Sequence, residues 1–103
     1  MQMVTEVYRE TKSFPRDEMF GLTSQMRRAA ISVPSNIAEG HGRLSNRDRQ
    51  HFVSTARGSV LELETQIRVA ANLGYLEAAA AKKLLEHASE VRRITNGKSF
   101  NSK

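Results

Sequence analysis

The 103-residue sequence contains no cysteine and no tryptophan, two prolines and six glycines, and its aromatic residues are limited to four Phe and two Tyr. Without cysteine there can be no disulfide and no thiolate-bound zinc, and the composition fits a reducing compartment. With so few aromatic rings, the core has to be mainly aliphatic. No apolar run approaches the roughly 18–20 residues of a membrane span. The N-terminal MQMVTEVYRE lacks the ordered charged, apolar and small-residue regions of a signal peptide. A cytoplasmic protein with no membrane attachment is the expectation. Convincing strands, internal repeats and low-complexity blocks are also missing. This length makes one domain, expected over residues 1–97, with a loose tail at 98–103.

Positive charge is plentiful. Sixteen Lys and Arg face eleven Asp and Glu, a net charge of +5. Such a balance suits an acidic partner such as nucleic acid, while the plain alternative is a solvated surface that keeps a small protein soluble.

The stretch Leu22–Arg43, LTSQMRRAAISVPSNIAEGHGR, organises the chain. At helical spacing, Leu22, Met26, Ala29, Val33 and Ile37 form one core-facing stripe. Ile31, Pro34 and Ala38 form a second, smaller stripe on roughly the opposite side. Gln25, Arg28, Ser32, Asn36 and Glu39 make a polar seam between them. Pro34 in a helix interior costs around 3 kcal/mol and bends the axis. The apolar stripe nevertheless stays in phase through Ile37, which predicts one kinked helix.

The other elements follow from local signals. A first helix is expected over residues 2 to about 13, with Val4, Val7, Tyr8, Thr11 and Phe14 near one side, stopped by Phe14-Pro15. The second helix should begin near Asp17, with Asp17 and Glu18 at its positive end, and end at Gly40 and Gly42. Ser45 to Asp48 reads as a capping box for a third helix running to Leu73. Phe52, Ala56, Val60, Leu63, Ile67 and Ala70 would form its core stripe. Gly58 in mid-helix costs about 1 kcal/mol against alanine, so a close helix approach is expected there. Gly74 serves as a C-cap glycine, and a fourth helix from about Glu77 to Thr95 turns Ala80, Leu84, Ala88 and Val91 inward. The fold class is all-α, an antiparallel up-down-up-down four-helix bundle with a short first helix.

No motif points to catalysis. A di-metal carboxylate bundle needs Glu-x-x-His pairs, and no Glu here has His three residues on. Gly40-His41-Gly42 lacks the spacing and the Lys-Ser/Thr of a phosphate loop. His87 reads as a hydrogen-bonded residue at the core edge. Arg28, Asn36, Glu39 and Glu62 border the core stripes, where they are expected to form a structural polar network. The rival reading of Glu39 and Glu62 is a catalytic carboxylate pair. The expectation is therefore a non-enzyme with no cofactor, metal or small-molecule substrate.

Several motifs carry a family resemblance: Arg27-Arg28-Ala29-Ala30, Asn36-Ile37-Ala38-Glu39-Gly40, Gly58-Ser59 and Glu62-Leu63-Glu64. Through them the chain closely resembles the small bacterial four-helix-bundle proteins known as 23S ribosomal RNA intervening-sequence proteins, strongly over Phe14 to Leu76 and loosely beyond. The resemblance implies a ring-like homopentamer and an association with RNA. Two departures stand out: the first helix is shorter than is usual in the family, and His41 stands where an aromatic residue is common.

Two surfaces are expected to act. Ile31, Pro34 and Ala38, supplemented by Leu61, would join copies of the chain, because they cannot face the core that Leu22, Met26, Val33 and Ile37 fill. At the far end, Arg43, Arg47 and Arg49 would meet Arg92, Arg93 and Lys98 from the end of the fourth helix in a basic pole for RNA phosphates. The short first helix should also leave Val33, Ile37, Phe52 and Ala56 at that end partly exposed, or covered by a neighbouring subunit or the C-terminal tail. A structural scaffold without nucleic acid is the alternative function.

Overall fold

The structure, a computed structural model, describes residues 2–96. These contain four α-helices and no strand: α1 (Gln2–Thr11), α2 (Leu22–His41), α3 (Asn46–Asn72) and α4 (Ala78–Ile94). A short 3-10 turn, Arg16–Glu18, separates α1 from α2. The 27 residues of α3 span about 40 Å at the α-helical rise, close to the molecule's 43 Å long axis.

Helix α1 buries Met3, Val7 and Thr11, one side chain per turn. Glu6 lies on the same side with only 7% exposure. Its carboxylate pairs with Arg9 at 3.2 Å and with Lys83 of α4 at 3.3 Å, so the buried charge is doubly compensated. The helix ends two residues earlier than expected, at Thr11, whose hydroxyl donates to the Val7 carbonyl at 2.8 Å.

The start of α2 differs from the expected Asp17. Pro15 leads into the 3-10 turn, and regular helix begins only after Gly21. Glu18 reaches forward so that its carboxylate accepts from the Leu22 N–H at 3.0 Å, satisfying one of the donors a helix start leaves free. A Cβ on Gly21 would sit 2.8 Å from that carboxylate, so the glycine leaves room for the cap. Helix α2 then runs unbroken through Pro34, as its phase predicts. Gly40 does not terminate it: the residue is buried inside the last turn, and Gly42 occupies the C-cap.

Ser45 caps α3 by accepting from the Asp48 N–H at 3.0 Å. The other end closes on Gly74 at φ 81°, with Gly74 N–H on Ala71 O and Tyr75 N–H on Ala70 O, a Schellman closure.

Helix α1 packs on α2 and α4, α2 on α3, and α3 on α4. Met26, Val33, Val60, Leu63, Ile67 and Leu84 are fully enclosed, each worth roughly 1.5–3 kcal/mol relative to exposure. Ala30, Val53 and Ala81 are buried as well, beyond the expected stripes, whereas Phe52, Ala80 and Val91 are only half-buried. Ile37 is half-buried, but Val33 and Ala56 are completely closed off, contrary to the expected exposure. Met3 of α1 and Val33 of α2 belong to one core cluster, with Val91 of α4 packed against it, so the short α1 still reaches a core shared by α2 and α4. The small Ala56 is enclosed where α2 and α3 lie close together. Gly58 is a further correction: it is exposed, with nothing within 4 Å of an added Cβ, so no helix of this chain approaches it.

Candidate functional site

The loop joining α2 to α3 is positioned by one close approach. A Cβ on Gly40 would lie 3.2 Å from the Phe52 Cβ and 3.5 Å from the Arg49 carbonyl, so any larger residue would crowd Phe52 at this close approach of α2 to α3. Arg43 then lays its guanidinium 4.8 Å above the Phe52 ring and donates to the Glu39 carboxylate at 2.8 Å. Arg49 reaches back to the Arg43 carbonyl at 3.2 Å and the Leu44 carbonyl at 3.4 Å. Both contacts hold the loop and leave its charge unmatched by a carboxylate. Arg47 is exposed and its side chain has no partner among the described residues. Beside them, Ile37, Gly40, Asn46, Arg49 and Val53 border a cleft of about 320 Å³. Three arginines against Glu39 and Asp48 give this end a surplus of one positive charge.

The expected pole is smaller than the sequence suggested. Arg92 donates to the Glu64 carboxylate of α3 at 3.2 Å, and Glu64 is eighteen residues beyond Asn46, about 27 Å along the helix. Arg93 donates to Ser89 one turn back, at 3.4 Å. With 17 residues against the 27 of α3, α4 stops short of the loop, so Arg92 and Arg93 do not join Arg43, Arg47 and Arg49. Lys98 and the expected tail 98–103 lie outside the described residues.

The four residues of the expected polar network also go separate ways. Asn36 donates to the carbonyl and hydroxyl of Ser32 at 2.8 and 3.0 Å, Glu39 binds Arg43, and Glu62 accepts from Gln66 at 3.4 Å. Arg28 has no side-chain partner among the described residues. Partners one turn away on the same helix are already within reach, and they prevail over longer-range pairing. The cross-helix bond in this seam is instead Ser32 to Ser59, hydroxyl to hydroxyl at 2.8 Å. It lies in a shallow groove that Arg28 and Glu62 border.

The expected contact stripe is largely uncovered in the single chain. Ile31 is 43% exposed and Leu61 44%; Ala38 is exposed and Pro34 half-buried. His87 departs from expectation, since its Nδ1 is buried without a hydrogen-bond partner. Among the described residues, no three His, Asp or Glu side chains gather as metal ligands, and no helix is long and apolar enough to cross a membrane.

The long-range pairs were not anticipated: Glu6 with Lys83, Glu64 with Arg92, and the Tyr75 hydroxyl donating to Glu18 at 3.0 Å. Charged residues at core-facing helical positions were the available signal for the two glutamates, while the Tyr75 bond joins parts of the chain 57 residues apart.

A family model for the 23S rRNA-intervening sequence protein matches residues 1–97. The chain belongs to that family. No curated protein matches it in sequence. For this member of the 23S rRNA-intervening sequence protein family, the motif residues quoted above now have positions: Arg27 ties α2 to α1, Gly40 brings α2 onto α3, and Glu64 holds α4.

Proposed function

We propose that the protein is a non-enzymatic, cytoplasmic, antiparallel up-down-up-down four-helix bundle that associates with copies of itself and binds RNA through a basic surface. The antiparallel arrangement is supported by cross-helix neighbours whose numbers run in opposite directions: Glu18 with Tyr75, Ser32 with Ser59, and Gly40 with Phe52. The observation that carries the reading is the uncovered face, with Ile31 on α2 and Leu61 on α3 more than two-fifths exposed. Gly58, one turn before Leu61, faces open space, where a neighbouring backbone could approach closely. A stripe of three on a central helix, supplemented by Leu61, means more than one stray apolar residue.

A homopentameric ring, implied by the family resemblance, is the proposed assembly. The family's name supplies the link to ribosomal RNA. Arg47 and Arg49, free of carboxylate partners among the described residues, are the proposed contacts to phosphates, with Arg43 beside them. One surplus charge per copy is weak alone, and repetition around a ring lets weak contacts add by avidity. Recognition would be through backbone and shape, because few aromatic rings are interleaved with these charges.

Changing Arg47 and Arg49 together to Glu should abolish RNA retention while helicity and mass stay as they were. In the unaltered protein, RNA affinity should fall steeply with added salt, because phosphate contacts release counterions. Retention indifferent to both would remove this surface from the proposal. The uncovered apolar face would serve equally in a scaffold oligomer without nucleic acid, and absence of any RNA binding would favour that reading. A catalytic pairing of Glu39 with Glu62 has less support: each carboxylate is engaged one turn away on its own helix.

A further inference from the structure

The opposite end of the molecule holds a feature that neither surface explains. The end of α1, the 3-10 turn and the first turns of α2 enclose a cleft of about 590 Å³. Its wall carries Lys12, Arg16, Arg27 and Arg28 and no carboxylate. Elsewhere Arg9, Arg43, Lys83 and Arg92 each meet a glutamate within 3.3 Å. Here only Arg27 has side-chain partners, and all are neutral: the Thr11 hydroxyl at 2.8 Å, the Tyr8 carbonyl at 3.3 Å and the Tyr8 ring at 4.7 Å. Lys12, Arg16 and Arg28 are exposed, with no side-chain partner among the described residues.

From this we infer that the cleft binds a phosphorylated ligand of nucleotide size. Four like charges around one concavity repel one another, and a bound multivalent anion offsets that repulsion while gaining from each of them. Arg27 is already oriented by Thr11 and Tyr8, so little side-chain freedom is lost when it meets a phosphate oxygen. Thr23 and Ser24 also line the wall, while the start of α2 is itself capped by Glu18 through the Leu22 N–H, so the anion is held by the arginine and lysine side chains. Phe14, Pro15 and Met19, the last 54% exposed, give the cleft an apolar side. The volume lies within the range of ordinary small-molecule sites, about 300–1,000 Å³. Arg27 and Arg43 are sixteen residues apart, about 24 Å at the helical rise, so this site is separate from the Arg47 and Arg49 surface. Its occupancy does not depend on the proposed assembly.

The phosphoryl group can belong to a free nucleotide or to a nucleotide within an RNA chain, and calorimetric titration of the full chain separates them. The probes are inorganic phosphate, ADP and a short 5′-phosphorylated oligoribonucleotide. The variants are Arg16→Glu with Arg28→Glu, at two exposed and unpartnered side chains, and Arg47→Glu as a control. The expected result is binding that the double variant weakens at least roughly tenfold and the control leaves unchanged, with helicity preserved in both. Saturation by ADP and phosphate identifies a free ligand. Binding of the oligonucleotide alone, with the same loss in the double variant, identifies a nucleotide in a chain. No binding of any probe at millimolar concentration, or binding indifferent to Arg16 and Arg28, overturns the inference. Loss of oligonucleotide binding only in the Arg47 control also overturns it, and leaves the RNA proposal standing.

Discussion

Glu18 illustrates how much one side chain can organise. One carboxylate oxygen accepts from the Leu22 N–H and starts α2, and the other accepts from the Tyr75 hydroxyl after α3. The hydrogen bond to Glu18 raises the Tyr75 pKa above the ordinary phenol value, aided by desolvation and by the nearby negative charges of Glu18 and Asp17. A folded-state pKa above the unfolded value means that the native state holds the proton more tightly. The stabilisation is therefore complete below the unfolded phenol pKa and is lost as pH rises through the folded one. Tyr75→Phe should lower the melting temperature at neutral pH, and the difference from the unaltered protein should shrink in alkali. Thermal melts across that range check it. Gly40 offers a second test at this scale. Gly40→Val should cost about 1–3 kcal/mol in denaturant unfolding, because overpacking must push Phe52 and α3 outward. These residue-level contacts were the least legible part of the sequence. Glu18 and Tyr75 meet across 57 residues of chain, so no local signal announces their bond.

Whole elements were easier to read, because their signals are local. Ser45, three residues before Asp48, marked the start of α3 correctly, and Gly74 marked its end. Ser45→Ala should cost about 1 kcal/mol in unfolding free energy, the usual worth of an N-cap. The start of α2 was misplaced because Asp17 and Glu18 resemble first-turn acids. Glu18 in fact caps from outside the helix, four residues before Leu22. Val53 and Ala81 were missed beside correctly read core neighbours because helix–helix contacts bury more than one narrow stripe. Gly58 separates the single chain from its proposed assembly. In an Ile31→Asp background, Gly58→Ala should stabilise the helix by up to about 1 kcal/mol, since the new methyl meets nothing within 4 Å. Urea titration reads that gain.

At the scale of the molecule, a four-helix all-α chain was legible from helical periodicity and short connections. The reach of each helix was not, which is why the expected basic pole divided. A helix of 17 residues cannot bring Arg92 and Arg93 to the start of one of 27 residues when their shared turn lies at the opposite end. What the single chain leaves uncovered at Ile31 and Leu61 is expected to be covered by another copy. Ile31→Asp should thus give a helical monomer, seen as an unchanged circular dichroism spectrum with a reduced mass. The most direct test of the account is the mass of the unaltered protein by light scattering during size exclusion, with and without RNA, at low and high salt. Several copies of the 11.6 kDa chain are expected to elute together, joined by RNA at low salt and freed of it at high salt. A single-chain mass under every condition, with RNA eluting apart, would contradict it.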